Sequence, residues 1–356
     1  MISPNSTLFD VHKAKLAIEK GKRSKWWRRM GSMSRGFYYV ASDGGKINDP
    51  EHVERIQSLV IPPAWKNVRI SPTQGGRLQA VGMDTTGRVQ YLYHPRFSAK
   101  QQEKKFSRIE IFGKHLPKLR QITNEHISLD GFPKEKVLAV MLRLINSLYF
   151  RLGTEKSVKH YRTYGITTLQ NKHLSIGRGS ELVFEFVGKS HVKHRKVLVD
   201  KELSSLMKEI KALGTARKLF QYVGDDGKAR GITPSELNGY LKAATAPEYS
   251  SKDLRTWGAS VLAAALLADV GVAETEAERK KNLVSVIKKV ADSLGNTPSV
   301  CRASYIHPAV IVSYENSIIA ELPTVSKRRS LTKIQPELEP EENALLKLFA
   351  DYHGGK

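Results

Sequence analysis

The sequence predicts an α+β protein with a small β-rich N-terminal domain over residues 1–95, followed by a larger, mostly α-helical domain over residues 96–356 that contains a small antiparallel sheet. Short β-prone runs separated by glycine turns fill the first part. Apolar residues at helical spacing dominate after residue 95, and one stretch of alternating residues interrupts them. A length of 356 residues exceeds what one hydrophobic core usually contains, which favours two domains.

Four β-prone runs predict the sheet of the N-terminal domain. They cover residues 36–40, 67–70, 77–81 and 89–93. The turns around them contain AspGlyGly, ThrGlnGlyGly and AspThrThrGly, residue types that are typical of tight connections between antiparallel strands. The runs therefore predict hairpins.

Helical periodicity predicts most of the second domain. A buried helix is predicted from Lys134 to Leu152, because apolar residues recur there at helical spacing and Asp130 with Pro133 supplies a start signal. Further helices are predicted from residue 203 and over residues 233–244, 254–270 and 275–294. Three alternating runs predict the small antiparallel sheet, at residues 173–176, 182–187 and 196–199.

Residues with cap preferences mark the ends of two helices. Thr275 and Glu278 have the spacing of a capping box, and Gly295 closes the helix that they begin. Thr297 and Pro298 are typical of the cap and first position of another helix. The glutamate-rich residues 337–342 fit either the start of a C-terminal helix or a mobile tail.

The composition indicates a polyanionic partner. The chain has 58 Lys and Arg against 35 Asp and Glu, a formal net charge of +23. Its single cysteine, Cys301, excludes an internal disulfide. Asp269 interrupts the longest apolar stretch, and Asp10 and Lys13 interrupt any N-terminal export signal. We therefore expect no membrane segment, a cytoplasmic location and nucleic acid as the leading partner.

The strongly basic segment 13–35 surrounds the pair Trp26 and Trp27. Two interpretations fit it equally well. It is a solvated arm or helix whose tryptophans pack onto the core, or it contacts DNA directly.

Residues 188–190 form a Gly-Lys-Ser triplet, but a nucleotide phosphate loop needs a glycine where Val183 stands and a helix afterwards. Lys189 therefore lies at the tip of a predicted hairpin, where an ordinary exposed turn lysine is the favoured interpretation. His191 and His194 have the spacing of metal ligands, but their lysine and arginine neighbours repel a cation. No metal site is predicted.

Three further residues stand at unusual places in the pattern. Arg151 ends a strongly apolar helix, where it either reaches solvent or faces a functional cleft. Arg255 lies near a helix N-terminus, where its charge opposes the helix dipole, and a phosphate ligand would be one reason for that. Tyr305 precedes the helix stop at Pro308, where a core tyrosine is the usual outcome. Each residue alone leaves its alternatives open.

Several motifs in one order resemble the type IB DNA topoisomerases of bacteria and poxviruses. They are IleProProAlaTrp at 61–65, GlyArgValGlnTyrLeuTyrHisPro at 87–95, PheArgLeuGly at 150–153, TyrGlyIleThrThrLeu at 164–169 with AsnLysHis at 171–173, PheValGlyLysSer at 186–190, LysAspLeuArgThrTrp at 252–257 and GlyAsnThrProSer at 295–299, up to Tyr305. Tyrosine recombinases share the arginine, lysine and tyrosine constellation and are the alternative. They typically carry HisXxxXxxArg, whereas SerLysAspLeu precedes Arg255 here.

The resemblance implies transient cleavage of one DNA strand through a 3′-phosphotyrosyl intermediate. By position, Tyr305 is the nucleophile, Arg151 and Arg255 bind the non-bridging phosphate oxygens, and Lys189 protonates the leaving 5′ oxygen. Guanidinium forks suit the negative charge of the transition state, and a phenol with a pKa of about 10 needs a positive field to attack. Asn296 stands where many relatives have histidine, so it can donate a hydrogen bond but not a proton.

The resemblance also implies the partners. The two domains are expected to close around double-stranded DNA as a clamp, with Gln90, Tyr91 and Tyr93 facing the major groove; ordinary strand residues are an equal alternative for these three. The covalent link conserves the phosphodiester energy, so we expect relaxation of supercoils without ATP. The resemblance also implies a monomer that acts in the nucleoid without a metal or another cofactor. A DNA-binding clamp that has lost its chemistry is the competing expectation.

Overall fold

The computed structural model describes residues 11–213, 217–321 and 330–354. The chain divides into two compact units, of which the first ends at Lys104 and the second begins at Lys105. A β-sheet dominates the first unit and α-helices dominate the second, which confirms the predicted α+β class. The predicted domain boundary after residue 95 stays a prediction.

The first unit is built on a five-stranded antiparallel sheet in the order β2-β1-β3-β4-β5. Its elements are α1 (Val11–Ile18), a 3-10 turn (Gly21–Lys25), β1 (Trp27–Ser32), β2 (Gly36–Val40), α2 (Pro50–Ser58), β3 (Lys66–Ile70), β4 (Leu78–Met83) and β5 (Val89–Tyr93). The four predicted strands are confirmed as β2 to β5, with small shifts at their ends.

The two helices cover opposite faces of this sheet. Successive residues of a strand point to opposite faces, and β4 shows the consequence. Ala80 belongs to a buried cluster with Ile56 of α2. Its neighbour Val81 belongs to a second buried cluster with Ala14 and Ile18 of α1.

Strand β1 corrects the sequence prediction of an arm or helix over residues 13–35. The segment contains α1, a 3-10 turn and then a strand, in which Trp27 pairs with Ile70 and Arg28 pairs with Val40. The sequence does not reveal this strand, because most of its residues are not the β-branched and aromatic types that are enriched in strands. Whether this segment contacts DNA stays a prediction.

Arg29 explains why a basic residue suits this strand. Its guanidinium donates hydrogen bonds to backbone carbonyl oxygens of the loop between α2 and β3, namely those of Ile61, Pro62, Pro63 and Trp65. Its Cζ atom also lies 4.2 Å from the centre of the Phe37 ring. Arg29 therefore fixes the IleProProAlaTrp loop against the sheet.

The second unit consists mainly of helices. They are α3 (Pro95–Gly113), which begins before the unit boundary, α4 (Leu116–Ile127), α5 (Lys134–Leu148), α6 (Glu155–Tyr161), α7 (Lys201–Ala212), α8 (Pro234–Ala244), α9 (Ser251–Val270), α10 (Glu276–Leu294), α11 (Pro298–Ser304), α12 (Pro308–Glu315) and α13 (Pro340–Gly354). The predicted capping box of Thr275 and Glu278 is confirmed at the start of α10. No helix within the described ranges is long and apolar enough to cross a membrane.

Two small sheets complete the second unit. Strands β6 (Leu174–Ile176), β7 (Glu181–Val187) and β8 (Lys193–Val199) form the predicted antiparallel sheet, in the order β6-β7-β8. Strands β9 (Gln221–Val223) and β10 (Ala229–Gly231) form a short hairpin that the sequence does not predict. Both strands are too short to show an alternating pattern.

Helix α5 is shorter than predicted. It ends at Leu148, before the predicted end at Leu152, because Tyr149 takes a left-handed conformation with φ 56°. Arg151 therefore lies in the loop after the helix and not at the helix end.

The C-terminal helix α13 packs on α9. Trp257 of α9 is fully buried and its indole nitrogen donates a 3.2 Å hydrogen bond to Glu342 of α13. Glu342 also forms a 2.7 Å ion pair with the buried Arg120 of α4. Of the two expectations for residues 337–342, the start of a helix is correct.

Replacing Arg29 by methionine should destabilise the first unit, because the loop carbonyl oxygens lose their charged donor. We expect the free energy of unfolding to fall by about 1–3 kcal/mol. Urea unfolding followed by tryptophan fluorescence reports mainly on this unit, which contains three of the four tryptophans. Arg28→Met is the matched control, since Arg28 lies on the same strand and its side chain makes no hydrogen bond or ion pair with the described residues. Equal stability of the two variants would contradict this role of Arg29.

Candidate active site

The loop that carries Arg151 is fixed by a second segment of the chain. Thr167 accepts a hydrogen bond from the Gly153 backbone N–H at 3.0 Å and donates one to its carbonyl at 2.8 Å. The Ile166 N–H donates to the Arg151 carbonyl at 2.9 Å. A Cβ atom on Gly165 would lie 2.5 Å from that carbonyl oxygen, so only glycine permits this approach. The motifs at 150–153 and 164–169 thus form one packed unit.

The C-terminal end of α10 forms a Schellman motif around Gly295, whose φ is 64°. The Gly295 N–H donates to the Asp292 carbonyl at 3.1 Å, and the Asn296 N–H donates to the Ala291 carbonyl at 2.9 Å. These two bonds satisfy two of the carbonyl groups that a helix end leaves open. The carbonyl groups of the next three residues, 293 to 295, need other donors.

Three cations from three different elements supply those donors. Lys196 of β8 donates to the Ser293 carbonyl at 2.9 Å. Arg255 of α9 donates to the Leu294 carbonyl at 3.0 Å. Arg151 donates to the Gly295 carbonyl at 3.1 Å. The negative end of a helix dipole favours cations at this place, so the end of α10 collects positive charge.

These contacts explain the unusual position of Arg255, because its side chain connects two helices. It lies in α9 but is buried, with its guanidinium bonded to the end of α10 and to the Tyr149 carbonyl. The unfavourable dipole of the α9 N-terminus is offset by the favourable dipole of the α10 C-terminus. Asp253, which caps the start of α9, forms a 2.6 Å ion pair with Arg108.

Two buried donors at this site have no partner among the described residues. The Asn296 Oδ1 atom accepts a hydrogen bond from Arg151, which leaves the Asn296 Nδ2 group buried and unpartnered. The Nε group of Arg255 is buried and unpartnered as well. Both groups can therefore donate to an acceptor that enters the site.

Tyr305 follows α11 and lies beside these groups. Its backbone N–H donates to the Cys301 carbonyl at 2.9 Å, and its own carbonyl accepts from the Ser260 hydroxyl at 3.3 Å. The ring is half-buried, and the Arg255 Cζ atom lies 5.5 Å from its centre.

The surrounding charges favour the phenolate form of Tyr305. Burial by itself raises the pKa of the phenol, but the positive charges of Arg255, Arg151 and Lys252 outweigh it, so the pKa lies below its ordinary value. A lowered pKa makes a tyrosine a better nucleophile at neutral pH.

Three residues at this site were not predicted to belong to it. Lys105 donates to the Ser304 carbonyl, and its Nζ atom lies 5.8 Å from the centre of the Tyr305 ring. Lys196 bonds to the end of α10, as described above. The His194 ring stacks on Phe186 at 4.9 Å and lies so close to Gly295 that a Cβ atom there would be 2.1 Å from His194 Cε1.

Burial and neighbouring cations lower the pKa values of these three groups. The pKa of Lys105 falls to about 8, by burial first and then by Lys252 and Arg108, against the opposing effect of Asp253. The pKa of Lys196 also falls to about 8, by burial and then by two arginines, Arg255 and Arg151. Burial, then Lys196 and the same two arginines, lower the pKa of His194 to about 4, so His194 is neutral at pH 7.

The remaining predicted site residues lie on other elements of the chain. Lys189 is exposed in a 3-10 turn (Lys189–His191) at the tip of the β7–β8 hairpin, and it makes no hydrogen bond or ion pair with the described residues. Tyr91 and Tyr93 lie exposed on one face of β5 in the first unit, with their ring centres 6.3 Å apart. Gln90 donates from its side-chain amide to Asp84 at 2.8 Å. Tyr305, Arg151, Arg255 and Asn296 are therefore the predicted residues that the structure brings together.

Comparison with known proteins identifies the family. A model of the eukaryotic DNA topoisomerase I catalytic core matches residues 94–329, and a model of the bacterial DNA topoisomerase IB N-terminal domain matches residues 36–84. The chain belongs to the type IB DNA topoisomerase family. Membership confirms the predicted enzyme class, an isomerase that acts on DNA, and favours it over the tyrosine recombinases.

Viral type IB topoisomerases are among its relatives. DNA topoisomerase 1B of Acanthamoeba polyphaga mimivirus is 29% identical over 289 residues, which is 79% of this chain and 85% of the viral protein. DNA topoisomerase I of monkeypox virus and DNA topoisomerase 1B of vaccinia virus strain Copenhagen are each 27% identical over 241 residues, 66% of this chain and 72% of the viral proteins.

Replacing Gly295 by alanine should slow this topoisomerase. The new Cβ atom collides with His194 and forces the end of α10 away from the arginines, so we expect plasmid relaxation to slow by about tenfold or more. Gly271→Ala is the matched control, since Gly271 ends α9 with φ 79° but has open space around it. Both variants should lose about 1–3 kcal/mol of stability, because each places an alanine at a positive φ. Relaxation by Gly295→Ala at the wild-type rate would contradict the role of the α10 end.

Proposed function

We propose that Tyr305 cleaves one strand of duplex DNA, that the free end swivels around the intact strand, and that the strand is then resealed. The unpartnered buried donors of Arg255 and Asn296 beside a tyrosine of lowered pKa carry this proposal. A buried donor without an acceptor costs about 1–3 kcal/mol, and the non-bridging oxygens of a phosphodiester would satisfy both donors. Arg151, bonded to Asn296, would bind the same phosphate.

The proposed reaction exchanges one phosphoester bond for another. Tyr305 gives up its phenol proton to solvent water and its Oη atom attacks the phosphorus. A bond forms between Oη and phosphorus, and the bond from phosphorus to the 5′ oxygen breaks. The added negative charge in the transition state falls on oxygens that Arg151, Arg255 and Asn296 bind. Resealing is the reverse, with the 5′-hydroxyl as nucleophile and Tyr305 as leaving group. Since no phosphoester bond is lost, no ATP, metal or other cofactor enters the proposed steps.

We propose Lys189 as the acid that protonates the leaving 5′ oxygen. Its ammonium is exposed and has no partner to hold it among the described residues, so it is free to approach the DNA when it binds. A flexible lysine at a hairpin tip can deliver a proton to an oxygen that the fixed arginines do not reach.

We propose that the substrate is duplex DNA, bound by a monomer in the cytoplasm at the nucleoid. The net charge of +23 supports phosphate contacts as the main source of affinity. The exposed Tyr91 and Tyr93, with Gln90 beside them, are proposed to face the major groove, with the two units closing around the DNA. Asp84 engages the amide of Gln90 and leaves the Gln90 carbonyl free to accept from a base.

Replacing Tyr305 by phenylalanine should abolish plasmid relaxation and the covalent adduct, because the nucleophilic oxygen is removed. DNA binding measured by fluorescence anisotropy should stay within about twofold of wild type, since one hydroxyl contributes little beside many phosphate contacts. Tyr222→Phe, which removes a hydroxyl from β9 in the same unit, should relax DNA normally. A Tyr305→Phe protein that still relaxes DNA would refute the proposal, and an inactive wild type that binds DNA would leave a clamp without chemistry.

Replacing Lys189 by alanine should slow cleavage of ordinary DNA by about 100-fold or more, because the leaving oxygen loses its acid. A substrate with a 5′-bridging phosphorothiolate should restore the rate, since its sulfur leaves without a proton. Lys193→Ala, on the adjoining strand, should show neither loss nor restoration. If the phosphorothiolate does not rescue Lys189→Ala, the general-acid role is wrong.

A further inference from the structure

Lys196 is a half-buried lysine without a carboxylate partner among the described residues. Strand β8 presents Lys193 and Arg195 to solvent, whereas Lys196 is turned inward towards the end of α10. Its hydrogen bond goes to the Ser293 carbonyl, and its Nζ atom lies 5.9 Å from the centre of the Phe150 ring. Burying a charge is costly unless something binds it, so this position needs an explanation.

The neighbours of Lys196 increase that cost. The positive charges of Arg255 and Arg151 act on its ammonium in addition to burial. The end of α10 provides the compensation, because its dipole and its open carbonyl group favour a cation there. The same helix end holds both arginines and carries Asn296.

We propose that Lys196 is a further positioning residue of the active site, which ties the last turn of α10 to the β6–β7–β8 sheet and so holds Asn296 and the two arginines in their places. This inference rests on the proposed function of the site. Lys196 is not proposed to touch the DNA. It acts through Ser293, and the adjoining carbonyl groups of Leu294 and Gly295 transmit its effect to Arg255 and Arg151.

The position of Asn296 depends on this turn. Asn296 accepts from Arg151 through Oδ1, and its unpartnered Nδ2 is the group proposed to bind the phosphate, so a shift of the turn moves both groups together. Without the ammonium, the Ser293 carbonyl loses its donor and the turn is free to move. A displacement of about 1 Å at a catalytic group can cost about 100-fold in rate.

Single-turnover cleavage of a duplex oligonucleotide tests the inference. At saturating DNA, Lys196→Met should lower the cleavage rate constant by about 10- to 100-fold, while the dissociation constant for DNA changes by less than about threefold. Lys196→Arg, which keeps a charged donor, should recover most of the lost rate. Lys193→Met removes the same charge from the exposed face of the strand and should cleave like the wild type.

A double-mutant cycle with Asn296→Ala separates positioning from general stability. If Lys196 acts partly through Asn296, Lys196→Met should slow the Asn296→Ala protein less than it slows the wild type, because only the part of the effect that passes through Arg255 and Arg151 remains. Melting temperatures of all variants, measured beside the rates, identify any loss caused by unfolding at the assay temperature.

Three results would overturn the inference. The first is a Lys196→Met protein that cleaves at the wild-type rate. The second is a loss of cleavage rate that Lys193→Met shares or that Lys196→Arg does not relieve. The third is a full effect of Lys196→Met on the cleavage rate in the Asn296→Ala background. A wild-type protein that forms no covalent adduct would refute the proposed function and this inference with it.

Discussion

The rest of the site depends on the hydrogen bonds to the carbonyl groups of the C-terminal turn of α10. Its Schellman motif uses two carbonyl groups internally and leaves three consecutive ones to Lys196, Arg255 and Arg151. These cations come from a strand, a helix and a loop that are far apart in the sequence. One helix end therefore brings them together, and the left-handed Gly295 places Asn296 directly after it.

This arrangement gathers positive charge without neutralising it. Asp253, the carboxylate close to Arg255 in the chain, is engaged by Arg108 and by the start of α9. Burial and mutual repulsion lower the pKa of Lys196 to about 8 and that of Arg255 to about 10. The same field lowers the pKa of the Tyr305 phenol. The site thus destabilises the charged forms of its lysine and arginine and stabilises the phenolate of its tyrosine. Such a site is suited to bind a phosphodiester and attack it.

Much of this organisation could be predicted from the sequence, and what escaped has physical reasons. The apolar periodicity of α5 and the caps of α10 and α11 identify these helices, because such signals are local. Sequence motifs predict Tyr305, Arg151, Arg255 and Asn296 as residues of one site. Lys196 escaped because β8 carries apolar residues on both faces, with Val197 and Val199 exposed, so alternation does not reveal its inward face. Strand β1 escaped because Arg29 is satisfied by a distant loop, which no local pattern reports.

The central claim is that Tyr305 forms a covalent bond to DNA within this cationic site. The most direct test incubates the protein with supercoiled plasmid in EDTA without ATP, stops the reaction with denaturant, digests it and maps the nucleotide-linked peptide by mass spectrometry. We expect relaxed circles and a nucleotide attached through its 3′-phosphate to Tyr305. Relaxation with the nucleotide on another residue, or binding without relaxation or adduct, would contradict it.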